Sequence, residues 1–165
     1  MTFDVTDWIN SKLGSALDEK AIRSIKDFSL VWNIFEDRAC GNDASLPVLE
    51  KFIDRISGFL VAAEEIITNT YGYFKKKYVD KDRVNLKFTF LNLSKTDNPA
   101  FVTSTLLAES PSLTDKALTS LIIISRYRNN LYHALKDMTQ IHEQKENFRM
   151  ANRFLATILE ISGLI

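Results

Sequence analysis

The sequence predicts an all-α fold, one bundle of five or six helices with a long second or third helix, spanning residues 1–165 as a single domain. Three observations carry this expectation. Five glycines and three prolines among 165 residues are too few to turn a chain around the many short strands of an all-β fold. Apolar residues recur at three- and four-residue spacing through most of the chain. With 45% hydrophobic and 25% charged residues the composition suits a packed core under a solvated surface and excludes a disordered chain.

The elements follow in order. Thr6–Leu17 reads as a short helix with Trp8, Ile9 and Leu13 on its apolar face and Gly14 weakening it. Asp18 starts a stronger helix to Cys40, because Ile22, Ile25, Phe28, Trp32, Phe35 and Ala39 form one stripe. Gly41-Asn42, two residues that tolerate positive φ, ends it. Ser45 is positioned as an N-cap, with Pro47 in the first turn and Glu50 suited to the helix dipole. From Val48 to Tyr78 the helical spacing holds through Phe52, Ile56, Phe59, Ala63, Ile67, Tyr71 and Phe74, which predicts one long helix as the spine of the bundle.

Residues 79–98 read as a connector. Alternation at Val84, Leu86, Phe88 and Phe90 fits a short extended stretch, and one more helical turn fits equally. Pro99 opens a short helix through Ala108, and Pro111 closes it. Ser112 or Thr114 begins the next helix, which the pattern carries to Met138. The last helix covers Glu143–Ile161 and stops at Gly163, with Phe148, Ala151, Phe154, Leu155, Ile158 and Leu159 inward.

Charge narrows the function classes. Twenty-one basic and 21 acidic residues cancel, which argues against binding nucleic acid through bulk charge. The cancellation is regional. Residues 1–70 hold 7 basic and 12 acidic side chains, residues 71–95 hold 7 and 2, and residues 96–165 hold 7 and 7. In the basic stretch Lys75, Lys76, Lys77, Lys81, Arg83 and Lys87 alternate with Tyr71, Tyr73, Phe74 and Tyr78. That mixture makes an RNA-contacting surface, or simply a solvated helix end where lysine suits the dipole.

One cysteine, Cys40, excludes an internal disulfide, and two histidines, His133 and His142, exclude a structural zinc cluster. No Gly-rich phosphate loop, Ser-His-Asp set or acidic metal cluster is present, so no metal or cofactor is expected. The first residues lack the pattern of a signal peptide, and no apolar run is long enough for a bilayer. A cytoplasmic protein with no membrane partner is the expectation.

The most informative segment is Arg126-Tyr127-Arg128-Asn129-Asn130-Leu131-Tyr132-His133 on the penultimate helix. Leu121, Ile124, Leu131, Leu135 and Met138 form an a/d-like stripe whose missing member is position 128. Arg128 thus stands where periodicity expects burial, and burying a guanidinium without an anion costs several kcal/mol. Three environments meet that requirement: an internal partner, a subunit interface, or a bound anion. Arg126, Asn129 or Asn130, and His133 form a polar stripe beside it, with Asn129 and His133 one turn apart.

Arg128-Asn129-Asn130-Leu131-Tyr132-His133 resembles the motif of the HEPN family (higher eukaryotes and prokaryotes nucleotide-binding): an Arg followed by a polar residue, with a His after four to six intervening residues in total from the Arg, here four. Trp32-Asn33-Ile34-Phe35-Glu36 looks like the Trp/Phe-Glu segment on an early helix of some members. The chain departs from the pattern at Ala134, where related sequences often carry Gly, so the helix is free to continue past His133. The resemblance implies a HEPN-like bundle and a metal-independent endoribonuclease of a toxin–antitoxin or phage-defence system, working as a homodimer on RNA. A protein antitoxin, including a nucleotidyltransferase-type one, is the further partner it implies. On that reading His133 is the acid or base, Arg128 holds the phosphate oxygens, and Asn129 orients either. Tyr132 stacks on a base, Glu36 is a partner for Arg128, and Arg126 supports the site or lies on its rim. The alternative is a non-catalytic HEPN-like RNA-binding or protein-interaction module, of antitoxin or immunity type. Read singly, His133 is also an ordinary structural histidine, and Arg128 an ordinary buried ion pair.

Overall fold

The computed structural model describes residues 2–14, 18–134 and 141–165, the side chains of 13, 132–134 and 141–143 excepted. Its helices are α1 (Val5–Leu13), α2 (Glu19–Cys40), α3 (Leu46–Ile56), α4 (Glu64–Tyr78), α5 (Leu86–Thr89), α6 (Pro99–Leu107), α7 (Leu113–Ala134) and α8 (Ile141–Ser162). A two-residue-per-strand hairpin, β1 (Val79–Asp80) with β2 (Arg83–Val84), pairs Val79 with Val84 and Asp80 with Arg83. The fold is all-α, as its composition and periodicity predict.

Local chemistry sets most boundaries. Asp4 accepts hydrogen bonds from the N–H groups of Thr6 and Asp7 to cap α1. Gly14, at φ 62°, ends that helix at Leu13, short of the predicted Leu17, because the left-handed conformation breaks the i to i−4 ladder. Residues 15–17 lie outside the described residues. Trp8 is half exposed and pairs with Phe3, whereas Ile9, like Ile22 and Ile25, packs against Ala21; the side chain of Leu13, the third member of the predicted apolar face, lies outside the described residues. Asp18 caps α2 at the N–H of Ala21, and Gly41, at φ 58°, closes it.

The predicted long spine is broken. Between α3 and α4 the chain winds as a 3₁₀ segment, Ser57–Ala63. Ser57 and Gly58 are weak helix formers at its start, and the backbone leaves helical geometry at Ile56 (φ −95°, ψ 4°) and Ala63 (φ −113°, ψ 14°). Three residues per turn keep Leu60 and Ala63 on the buried side and turn Phe59 and Val61 to solvent, 61% and 73% exposed. Phe59, predicted inward, is therefore a surface residue. The connector holds both predicted possibilities, an extended hairpin and the single helical turn of α5.

The layers are simple. α2 lies along α8, while α7 is enclosed by α3, α4 and α6. Phe28 stacks on Phe148 at 4.9 Å, and Phe35 meets Phe52 edge-on at 5.4 Å. Leu121, Ile122, Ile123 and Ile124 are all buried, so α7 is apolar on every side in mid-helix and forms the centre of the bundle. Each such side chain contributes about 1.5–3 kcal/mol of burial. Among the described residues, no helix is long and apolar enough to cross a membrane.

Candidate functional site

The motif lies where α7 leaves the core. Ile124, Tyr127 and Leu131 are buried, Arg128 and Asn130 are half-buried, and Asn129 is exposed. The inward position predicted for Arg128 is filled by Tyr127, because a residue three after Ile124 shares its face as well as one four after it. Tyr132 and His133 follow on the last described turn of α7, and their side chains, with residues 135–140 and the side chain of His142, lie outside the described residues.

Tyr127 anchors this turn. Its hydroxyl and that of Tyr78 from α4 lie 2.6 Å apart, and Phe74 meets the Tyr127 ring edge-on at 5.8 Å. Burial pushes both phenols well above the ordinary tyrosine range. Beside them Tyr73 and Lys77 both donate to Asn147 Oδ1 on α8, at 2.7 and 2.6 Å, and the Asn147 amide donates to Gln144. Burial, then the nearby Glu146 carboxylate, pushes Tyr73 up to about 12. This polar array, buried at Tyr78, Tyr127 and Asn147 and half-buried at Tyr73 and Lys77, binds α4, α7 and α8 together under the motif.

The other face of α7 holds the connector. Arg126 Nε donates to Leu91 O at 3.1 Å, and its guanidinium pairs with Asp97 at 3.5 Å, both side chains largely buried. Asn130, one turn on, donates to the same carbonyl at 2.9 Å and reaches Phe90 O at 3.4 Å. Arg126 is thus a clamp on the connector's backbone. Glu36 accepts from the Trp32 indole N–H at 3.2 Å within α2, whose main neighbour is α8.

The basic stretch divides. Lys75 donates to Ala108 O at 2.7 Å and closes the end of α6. Lys77 is engaged with Asn147 and lies over the rings of Tyr73 and Tyr78. Lys81, at φ 59° in the hairpin turn, and Arg83 are exposed, and neither lines the groove described next.

That groove, of about 430 Å³, runs between the end of α4 and the connector. Lys76, Lys77 and Lys87 supply its positive charge, Asp80 its negative charge, and Leu86 and Phe90 its apolar wall. Asn85 shapes it by donating to Lys77 O and accepting from Phe88 N–H, which joins α4 to α5. Leu86 and Phe90 are 70% and 66% exposed, and their alternation in the sequence points to an extended stretch, not to a site. Two outward apolar residues four apart within a basic run were the signal available. Among the described residues, no group of three or more His, Cys, Asp or Glu side chains comes together to hold a metal ion.

Compared with family models, curated proteins and solved structures, the chain matches none.

Proposed function

We propose that this protein is a HEPN-like, metal-independent endoribonuclease of toxin–antitoxin or phage-defence type, acting as a homodimer. The observation that supports it is the tether between the connector, which walls the groove, and the helix that carries the motif. Phe90 of the basic groove adjoins Leu91, whose carbonyl is held by Arg126 and Asn130 on the helix that carries Arg128, Asn129 and His133. On this reading an RNA held in the groove continues toward the motif helix.

In the proposed reaction the ribose 2′-oxygen forms a bond to the adjacent phosphorus while the bond from phosphorus to the leaving 5′-oxygen breaks. One copy of His133 takes the 2′-OH proton, and a second copy, from the other subunit, protonates the 5′-oxygen. Arg128 stabilises the non-bridging oxygens with paired N–H donors. The need for two histidines, from a chain that offers one in the motif, is the physical reason for the dimer.

Purified protein incubated with RNA in EDTA tests this directly. Wild type cleaves, His133→Ala does not, and solution mass gives a dimer; uncleaved RNA or a strict monomer overturns the reading. The engagement of Arg126 and Asn130 with backbone carbonyls favours a second reading, a non-catalytic RNA-binding or protein-interaction module. That reading predicts RNA or partner binding with no cleavage and equal, harmless growth on induced expression of wild type and His133→Ala.

A further inference from the structure

We propose that the groove between the end of α4 and the connector is a binding track for single-stranded RNA, with phosphates on Lys76 and Lys87 and a base against Phe90. This deepens the ribonuclease reading and rests on it for the direction in which the strand runs.

Three features choose the occupant. The segment from 71 to 95 is the basic part of an otherwise neutral or acidic chain, so a polyanion is the complementary ligand. Lys76 and Lys87 are exposed groove residues, whereas Lys75 and Lys77 hold Ala108 and Asn147. An exposed phenylalanine ring beside spaced lysines gives a base a surface to stack on, and an acidic peptide would leave it unused. Asp80 opposes the phosphates from within the groove, which supplies a variant of opposite sign.

The test uses the full chain and a fluorescein-labelled 2′-O-methyl oligouridylate of about a dozen nucleotides, which has no 2′-OH to react, followed by anisotropy across salt concentrations. The double variant K76A/K87A is expected to bind about tenfold more weakly and to lower the salt slope by about 0.7 for each lysine removed. Phe90→Ala weakens binding at least about fivefold with no change in slope. Asp80→Asn binds more tightly, a gain that damage to the fold cannot produce, and Lys51→Ala on α3 leaves binding and slope unchanged.

Failure of wild type to bind, variants that bind as wild type, or equal competition by oligoglutamate each overturn the RNA track; the last marks a protein-docking surface. The two proposals fail separately. Binding that depends on Lys76, Lys87 and Phe90 without any cleavage removes the ribonuclease and keeps the track. Cleavage that depends on His133 but is indifferent to the groove variants does the reverse.

Discussion

The hydroxyls of Tyr78 and Tyr127 share a 2.6 Å hydrogen bond inside the core, joining the last turn of α4 to the turn of α7 that precedes Arg128. Removing one partner leaves the other phenol buried and unsatisfied. Tyr127→Phe or Tyr78→Phe is therefore expected to cost about 1–3 kcal/mol, and the double variant less than the sum of the two. Urea unfolding of the four proteins checks the cycle, and strict additivity counts against the pairing.

The same burial gives a pH dependence. Tyr73, Tyr78 and Tyr127 all have raised values in the folded chain, so the folded state holds their protons where the unfolded chain releases them. Their contribution is fully present below the ordinary tyrosine value of about 10 and is lost as pH rises through the folded values. Thermal melting should fall from pH 10 upward, and tyrosinate absorbance should lag that of the unfolded chain. Coincident titrations would contradict the burial of these phenols.

Arg126 and Asn130 meet at one acceptor, Leu91 O. Arg126→Ala removes that bond and the Asp97 pair and is expected to cost about 1–3 kcal/mol. Because the lost contacts tether residues 90–97, limited proteolysis should cut that segment faster, while helical circular dichroism changes little. Unchanged proteolysis would show that the hairpin and α5 hold the connector without the clamp.

Thr119 is fully buried and its Oγ1 has no hydrogen-bond partner among the described residues. Thr119→Val keeps the shape and removes the unsatisfied hydroxyl, so stability should hold or rise by about 1 kcal/mol. A fall in the urea midpoint would show that the hydroxyl is satisfied in solution.

Cys40 is buried at the end of α2, and burial, then the charges of Glu36 and Asp43, pushes its thiol up to about 12. It is expected to resist a thiol reagent at pH 8 and to react at once in denaturant. Rapid labelling of the native protein would mean that the end of α2 opens readily.

Sequence and structure agree where the determinants are local. Gly41 and Gly163 stop α2 and α8 because their left-handed φ is a property of one residue, and Asp18 caps α2 through a bond three residues away. Phe148, Ala151, Phe154, Leu155, Ile158 and Leu159 are all buried, as their spacing predicts. The site was legible only in part. The Arg128-Asn129 segment and the basic run stand out in the chain, but the division of the lysines depends on Asn147 and Ala108, which are 70 and 33 residues away.

The sequence by itself determined the all-α class, most helix boundaries, the neutral total and its basic centre. Only the tertiary structure decided that the spine breaks at Ser57–Ala63, that Tyr127 rather than Arg128 faces inward, and that Leu86 and Phe90 wall a basic groove beside the motif helix. The reason is range. Caps and periodicity act within a turn or two, whereas burial of a particular side chain is set by what the rest of the chain packs against it.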